Sequence, residues 1–471
     1  MEHEKKFGVF EAVVVLLLAY LFLSAVFPSL AIVLSSDANA VNFVFFYLYK
    51  GLLAVLPVVL AVVLIYTAHM FWLHYVQARF ISGITWVLLE IVPPREVLRS
   101  PQAMEFFLTN ALYHWSQKSG LETYWQGAVW FWFSLELVSI EGQVHFYIHA
   151  PSRIKELIEV EMYAQYPQAQ IREVEDYTLA VDKITPDSKW NLWGCEFKYK
   201  NPDAFPIKTY VDFGLDKDPK EEQKNDPIAP VVELFSSIGK GEQMWSQIVI
   251  TPSKKKFHTP GTWFKTHDWV KQSELTIRNT LKEFTRQHPM NPDGTIPKEI
   301  RAPGFLDEST KKAASKMMKV GFDTGIRICY VAKKENFDMG HRRNIRLIWR
   351  QYAAPMSNQL ERFNSTQADA FSTNKIAEFF PLSQKKIMRL ADRMLYEYRE
   401  REFFHPPMRH RIKLPWPISP LIFPNFFHHH TMVMNTEELA TLWHFPGRIL
   451  RVPTLERIES KEASPPPNLP T

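Results

Sequence analysis

Two long uncharged apolar runs near the N-terminus constrain this chain more than any other feature. The first extends from Ala12 to Ser36, and the second extends from Gly51 to Ala78, where Arg79 ends it. About 20 apolar residues suffice to cross the roughly 30 Å hydrocarbon core of a bilayer. The two runs therefore predict a two-helix transmembrane hairpin over residues 8–78.

Positive charges at the ends of these runs indicate an orientation. Lys5 and Lys6 precede the hairpin and Arg79 follows it, whereas the short connection holds a single lysine, Lys50. The positive-inside rule then predicts a location in the cell membrane, with both termini and the folded domains on the cytoplasmic side. A signal peptide cleaved near residues 38–40 is the alternative, but the first run is longer than the ~7–15 residues of a signal-peptide core.

The composition indicates a folded part beyond these runs. The chain has 471 residues, of which 46% are hydrophobic, 22% charged and 14% aromatic, so it is too apolar to be disordered throughout. Two cysteines, Cys195 and Cys329, exclude a disulfide-rich scaffold. The net charge of +5 permits contact with anionic partners without requiring it, because clustering of charge matters more than its sum.

Hydrophobic periodicity after residue 80 predicts an α+β fold. Four segments have the composition or the alternation of strands: 84–91, 129–138, 144–148 and 171–177. Two helical apolar faces separate them, starting at Met104 and Ile154. The order β-α-β-β-α-β is that of a ferredoxin-like domain, in which two helices cover one face of a four-stranded antiparallel sheet. We assign this domain to residues 80–180.

The remaining chain predicts a second α+β unit and a C-terminal part of different character. Strand and helix patterns recur over residues 190–355 and predict a second ferredoxin-like domain, interrupted by an insertion at about 252–321. Residues 356–447 combine helices with proline-rich segments. Residues 448–471 contain too many prolines for a helix or a central strand and predict an extended linker.

The motifs that usually carry catalysis do not occur in the sequence. It contains no G-x-x-x-x-G-K-[ST], G-x-S-x-G, H-E-x-x-H or G-x-G-x-x-G. His405, His410 and the histidine triplet at 428–430 lie near one another, but three consecutive side chains cannot converge on one metal ion, so we interpret them as loop or surface residues. We predict no enzyme activity, no catalytic residue, no cofactor and no metal.

Two basic clusters are the candidate contact residues. They are Lys254, Lys255 and Lys256, which follow a predicted strand, and Arg343, Arg346 and Arg350, which are spaced to share a helix face. Nearby aromatic rings could stack on bases while the basic groups take phosphates. Anionic lipid and an ordinary solvated surface are the two alternatives that the sequence leaves open.

Several strings resemble a known family. They are LEIVPPREV at 89–97, SPQAME at 100–105, HFYI at 145–148, EVEDY at 173–177 and MNTEELATLWHFPG at 434–447. These strings, with weaker similarity between them, resemble the membrane-proximal region of type IV secretion ATPases and conjugation coupling-type proteins from ultra-small bacteria. In longer members of that family the last string stands just before a HerA/FtsK-like motor, whose motifs match no position in this sequence.

The resemblance implies a function without catalysis. It implies a membrane-anchored platform or assembly subunit of a type IV secretion-like or conjugative transfer system. Such a subunit would form a homo-oligomer and dock a HerA/FtsK-like ATPase in trans at the cytoplasmic face of the membrane. The basic clusters favour the alternative function, a membrane-tethered module that binds single-stranded nucleic acid.

Overall fold

One antiparallel sheet of nine strands organises the protein in the computed structural model. The residues that the structure describes are 67–94, 99–113, 119–216, 226–253, 268–287, 304–355, 357–366, 384–401, 403–405 and 429–447, with single positions at 57, 61, 64, 65 and 97. The α+β class expected from the periodicity is what these residues show.

Helix α1 covers residues 67–82 and leads into the first half of the sheet. This half contains, in chain order, β1 (Trp86–Val92), α2 (Gln102–Phe107), α3 (Gly120–Tyr124), β2 (Phe133–Ile140), β3 (Gln143–Pro151), α4 (Lys155–Gln165) and β4 (Gln170–Val174). A short π-helical stretch, Leu108–Leu112, continues α2.

The second half repeats this order with additions. It contains β5 (Trp190–Tyr199), α5 (Ala229–Ser236), β6 (Glu242–Pro252), α6 (Trp269–Gln287), α7 (Gly304–Met317), β7 (Gly321–Lys333), α8 (Met339–Ile345) and β8 (Leu360–Phe363). The last described elements are α9 (Gln384–Arg399), β9 (Met432–Asn435) and α10 (Thr436–Leu442).

The strand order relates the two halves to each other. It runs β4-β1-β3-β2-β6-β7-β5-β8, and β9 pairs with β7. The order within the second half is that of the first half read from the other end, and both are orders that a β-α-β-β-α-β unit produces. The corresponding strands β2 and β6 meet as antiparallel neighbours in the middle, with Leu137 opposite Ser246. The two units assigned to residues 80–180 and 190–355 therefore share one continuous sheet.

Both faces of the sheet are covered. On one face, α2, α4, α5, α8 and α10 pack against the strands, and the stripe on α2 and its π-helical continuation is buried at Met104, Phe107, Leu108 and Leu112. Each such side chain stabilises the fold by about 1.5–3 kcal/mol. The opposite face is covered by α9, whose buried side chains pack against the strands around Trp245. Helix α9, which belongs to the region 356–447 predicted as helical and proline-rich, thus supplies one layer of the same body.

The predicted transmembrane hairpin is wrong, and so is the predicted location in the cell membrane, which rested on that hairpin. No helix among the described residues is both long enough and apolar enough to cross a membrane. The end of the predicted second span forms α1, which packs on the sheet body through the buried Val76 and through a hydrogen bond from Trp72 Nε1 to the carbonyl of Tyr124, 2.9 Å long. The first predicted span, residues 12–36, and the linker at 448–471 lie outside the described residues.

The chain after α9 approaches β7 so closely that position 325 has no room for a side chain. A Cβ atom on Gly325 would lie 2.3 Å from the buried ring of Phe403. The same ring lies 4.3 Å from the guanidinium carbon of Arg327. A side chain at position 325 would therefore displace Phe403 and disturb its contact with the arginine.

We expect Gly325→Ala to lower the free energy of unfolding by about 1–3 kcal/mol, because the added methyl overpacks a filled site. Urea denaturation measures this change. Gly120→Ala is the matched control, since nothing lies within 4 Å of a Cβ at the start of α3. Equal effects of the two substitutions would contradict the packing argument.

Candidate functional site

A row of polar side chains crosses the sheet. Its members are directly opposite one another in the strand register: Arg172, Glu90, Tyr147, Glu136, Gln247, Arg327 and Glu196, on β4, β1, β3, β2, β6, β7 and β5 respectively. Opposite residues in a sheet point to the same face. The row therefore lies on the face that α9 covers, and six of its seven members, all except Arg172, are buried.

Glu136 is the centre of the row in the first half. Its carboxylate accepts hydrogen bonds from the Tyr177 hydroxyl at 2.8 Å, from Gln247 Nε2 at 3.1 Å and from Arg401 Nε at 3.0 Å. Arg401 also pairs with Asp176. Burial raises the pKa of Glu136, but Arg401 outweighs it and lowers the pKa, so the carboxylate stays ionised.

Arg327 is the corresponding centre in the second half. Its guanidinium donates to Glu196 Oε1 at 2.9 Å, to Gln247 Oε1 at 3.2 Å and to the backbone carbonyl of Glu397 at 2.8 Å. Gln247 therefore links the two charge centres through its amide. Because a buried charge is tolerated only when it is paired, α9, which carries Glu397, and Arg401 after it are required to complete this face of the sheet.

His429 joins this network beside Glu196. Its Nδ1 lies 2.8 Å from Glu196 Oε1, and its Nε2 lies 3.6 Å from Glu397 Oε2, with side chains only 5% and 2% exposed for His429 and Glu397. Neither Nε2 nor Oε2 has a hydrogen-bond partner in the part of the chain that the structure describes. His429 was interpreted as a loop or surface histidine, and its burial against Glu196 shows a structural role that its place in a histidine triplet did not reveal.

The charges around His429 favour a proton over a metal ion. Glu196, Glu397 and His429 could converge on one ion. The cations of Arg327 and Arg393 already pair with these two carboxylates, so a divalent ion would add two positive charges that no further carboxylate of the cluster compensates, whereas a protonated His429 adds one. Burial lowers the pKa of His429, but Glu196 outweighs it and raises the pKa above the usual value. His429⁺ and Arg327 together lower the pKa of Glu196 to about 2, against the effect of its burial.

Another buried ion pair holds the segment 432–446. Lys316, at the end of α7, lies 2.9 Å from Glu438 Oε2 on α10, and both side chains are 0% exposed. Glu438 Oε1 accepts from the Tyr199 hydroxyl at 2.7 Å and from the Ile207 backbone at 2.9 Å. The second half of the sheet therefore surrounds the start of α10.

The same segment also contacts the first half. Trp443 Nε1 donates to the backbone carbonyl of Glu136 at 3.3 Å, and Thr436 donates to Glu105 at 3.2 Å. Lys319 connects Glu105 and Glu437, at 2.9 and 2.7 Å. All residues from 432 to 446 are buried apart from the half-buried Glu437. The segment therefore joins both halves of the body.

An open groove of about 710 Å³ lies where α1 meets the sheet body. Five of its thirteen lining residues are aromatic: Trp72, Tyr75, Phe80, Trp125 and Phe131. The rings of Trp72 and Trp125 lie 5.5 Å apart between centroids. Two arginines, Arg79 and Arg153, also line it, and Arg153 lies 5.3 Å from the centre of the Phe131 ring.

Gly127 fixes the wall of the groove. It has a φ of +71°, and a Cβ there would lie 2.2 Å from the backbone oxygen of Val76 in α1. Only glycine allows this close approach without strain. The capping box formed by Ser119 and Glu122 begins α3, which leads directly to Trp125. The aromatic side chains are therefore held in place before any ligand arrives.

The described residues that line this groove do not include the arginine cluster Arg343, Arg346 and Arg350. Lys254, Lys255 and Lys256 lie outside the described residues. Arg343 lies on α8, Arg346 caps the C-terminal end of that helix, and Arg350 begins the 3₁₀ turn Arg350–Tyr352. Arg343 and Arg350 are exposed and Arg346 is half-buried. Sequence reasoning missed the groove because Trp72 and Tyr75 fell inside a predicted membrane span.

We expect Arg327→Met to lower the free energy of unfolding by about 3–5 kcal/mol, because it leaves Glu196 as a buried charge that has lost its arginine. Urea denaturation measures the loss. Lys311→Met is the control, since its ion pair with Asp307 is exposed and contributes little to stability. Similar losses in both variants would contradict the importance of the row.

We expect the stabilisation by His429 to depend on pH. Its folded-state pKa is raised, so its contribution is fully present below about pH 6.5, the unfolded pKa, and is lost as pH rises through the folded value. The Tm difference between wild type and His429→Gln should therefore be larger at low pH than at high pH. A difference that grows with pH and disappears with a chelator would indicate a metal instead.

The comparisons with known proteins give a family and no characterised relative. No curated protein matches the sequence. The model of one family, a domain of unknown function designated DUF8128, matches residues 87–455. This range starts at β1 and extends past α10, so it includes the nine-stranded sheet and nearly all its covering helices. Because the match covers most of the chain, the protein belongs to the DUF8128 family.

Proposed function

We propose that this protein is a non-catalytic assembly platform of a type IV secretion-like or conjugative transfer system, on which a HerA/FtsK-like motor ATPase docks. The observation that carries the proposal is the burial of the segment 432–446 between the two halves of the sheet. In the family that the sequence resembles, this string stands just before the motor. A force that a docked motor exerts on this segment would therefore be transmitted to the buried core of the protein.

The ion pairs of the segment support a load-bearing role. The Lys316–Glu438 pair is completely buried, and removing one partner of such a pair typically costs about 3–5 kcal/mol. Contacts to Glu136 and Glu105 distribute the attachment over β2 and α2. An attachment through several strands and helices resists pulling better than one through a single surface helix.

The chemistry of the groove supports binding rather than catalysis. Its described lining has the hydroxyl groups of Thr85 and Ser152, but it contains no aspartate, glutamate or histidine that could act as a general base beside them. The buried acidic groups of the row are occupied in ion pairs with arginines. A partner is therefore the natural source of any nucleotide hydrolysis that the system needs.

We expect Lys319→Ala to loosen the segment and weaken motor binding. Lys319 is 31% exposed and connects Glu105 with Glu437, so its loss removes contacts at the surface of the segment and leaves the buried pair intact. Hydrogen exchange should become faster at residues 432–446. Affinity for a HerA/FtsK-like ATPase from the same genome, measured with purified proteins by calorimetry, should fall at least about threefold, a loss of roughly 0.6 kcal/mol.

Lys312→Ala is the matched control. Lys312 is 33% exposed and pairs with Asp212 and Glu308, neither of which belongs to the segment. It should change neither the hydrogen exchange of residues 432–446 nor the motor affinity. The docking proposal is wrong if the purified wild type binds no such ATPase. It is also wrong if Lys319→Ala speeds hydrogen exchange in the segment but both variants bind the ATPase as tightly as wild type does.

A further inference from the structure

The groove beside α1 combines two chemistries that rarely coincide on a protein surface. Trp125 is 69% exposed and Trp72 is 42% exposed, so the faces of large rings are open to solvent. Arg79 and Arg153 are exposed beside them. Exposed tryptophan is costly in water unless a ligand covers it, and contiguous apolar patches commonly mark binding sites.

The two arginines have no acidic partner. Neither forms an ion pair with a carboxylate of the described residues, and the groove lining contains no aspartate or glutamate. This contrasts with Arg172, Arg327, Arg393 and Arg401, which all pair with carboxylates. An arginine without a carboxylate partner presents a planar set of donors that matches a phosphate.

The arrangement of the aromatic rings indicates that the ligand carries planar groups as well as phosphates. Trp72, Trp125 and Tyr75 lie next to one another, with centroid distances of 5.5 Å for Trp72–Trp125 and 6.2 Å for Trp72–Tyr75. The two tryptophans are tilted by 53° and do not stack face to face, so their faces are open to planar groups. Neighbouring aromatic platforms that alternate with arginines are typical of sites for single-stranded nucleic acid.

We propose that this groove binds single-stranded nucleic acid, with bases stacked on Trp125 and Trp72 and phosphates held by Arg79 and Arg153. The bases of a duplex are already stacked and cannot reach rings inside a groove. An apolar peptide would leave the two arginines without a partner. The volume of about 710 Å³ lies in the ~300–1,000 Å³ range of ligand sites and admits a short piece of a strand.

The proposal does not depend on motor docking, because the groove and the segment 432–446 use different residues. The groove also differs from the basic clusters at 254–256 and 343–350. The two sites can therefore be separated by substitution, and failure of one proposal leaves the other intact.

Fluorescence anisotropy with the full chain and labelled 20-nucleotide strands tests the site. Oligo-dT and oligo-rU distinguish DNA from RNA, and a duplex of the same length is the competitor. We expect at least one of the two single strands to bind and to quench tryptophan fluorescence. The duplex should bind at least about tenfold more weakly. Affinity should fall as salt rises, since phosphate contacts release counterions.

Variants locate the site. Trp125→Ala should weaken binding at least about fivefold, which is the loss of one stacked base. Arg79→Ala with Arg153→Ala should weaken it at least about tenfold and reduce the slope of log K against log salt by about 1–2. Tyr396→Ala, an exposed aromatic on α9, and Arg343→Ala with Arg350→Ala are the controls and should bind as wild type does.

Three results would overturn the proposal. The first is no binding of either single strand, and the second is binding that is insensitive to salt. The third is a larger loss in Arg343→Ala with Arg350→Ala than in Arg79→Ala with Arg153→Ala, which would place the contact on the surface around α8.

Discussion

The pairing of charges in the middle of an apolar sheet is the constraint on which the rest of this structure depends. Arg327 on β7 and Glu136 on β2 are both buried on the same face of the sheet. The charge of each is compensated by groups from distant parts of the chain. Arg401 is 265 residues from Glu136 in sequence. Because neither charge is tolerated alone, the sheet cannot be completed until α9 and the residues after it are in place.

Local patterns predicted a good part of the sheet. Alternation and bounded apolar runs placed strands near 84–91 and 144–148, where the structure has β1 and β3. The polar row was not predicted, although its signal is present in the sequence. Glu136 lies between two leucines, Arg327 lies between two isoleucines, and Gln247 directly precedes the apolar run Ile248–Ile250. A single chain does not reveal which of these residues are opposite one another, since the pairing is decided by strand order.

The transmembrane prediction failed for a related reason. The number of apolar residues in a segment indicates how much apolar surface must be removed from water. It does not show whether lipid or another part of the protein covers that surface. In α1, Val76 is covered by the body of the protein, where Gly127 permits the backbones to meet. Trp72 and Tyr75 stay exposed at the groove. The string at 434–447 was noticed through a resemblance, and only the structure shows that it is buried in the core.

The polar row also limits how the two proposed sites can communicate. A shift of one residue in the register of β6 against β2 or β7 would turn Gln247 to the other face and separate Glu136 from Arg327. Such a shift would move polar groups into an apolar layer, so the sheet has one stable register. Coupling between distant sites requires an element with two arrangements of similar free energy. The described strands pair in a single register, so we expect occupation of the groove and loading of the segment 432–446 to contribute independently to the stability of the body.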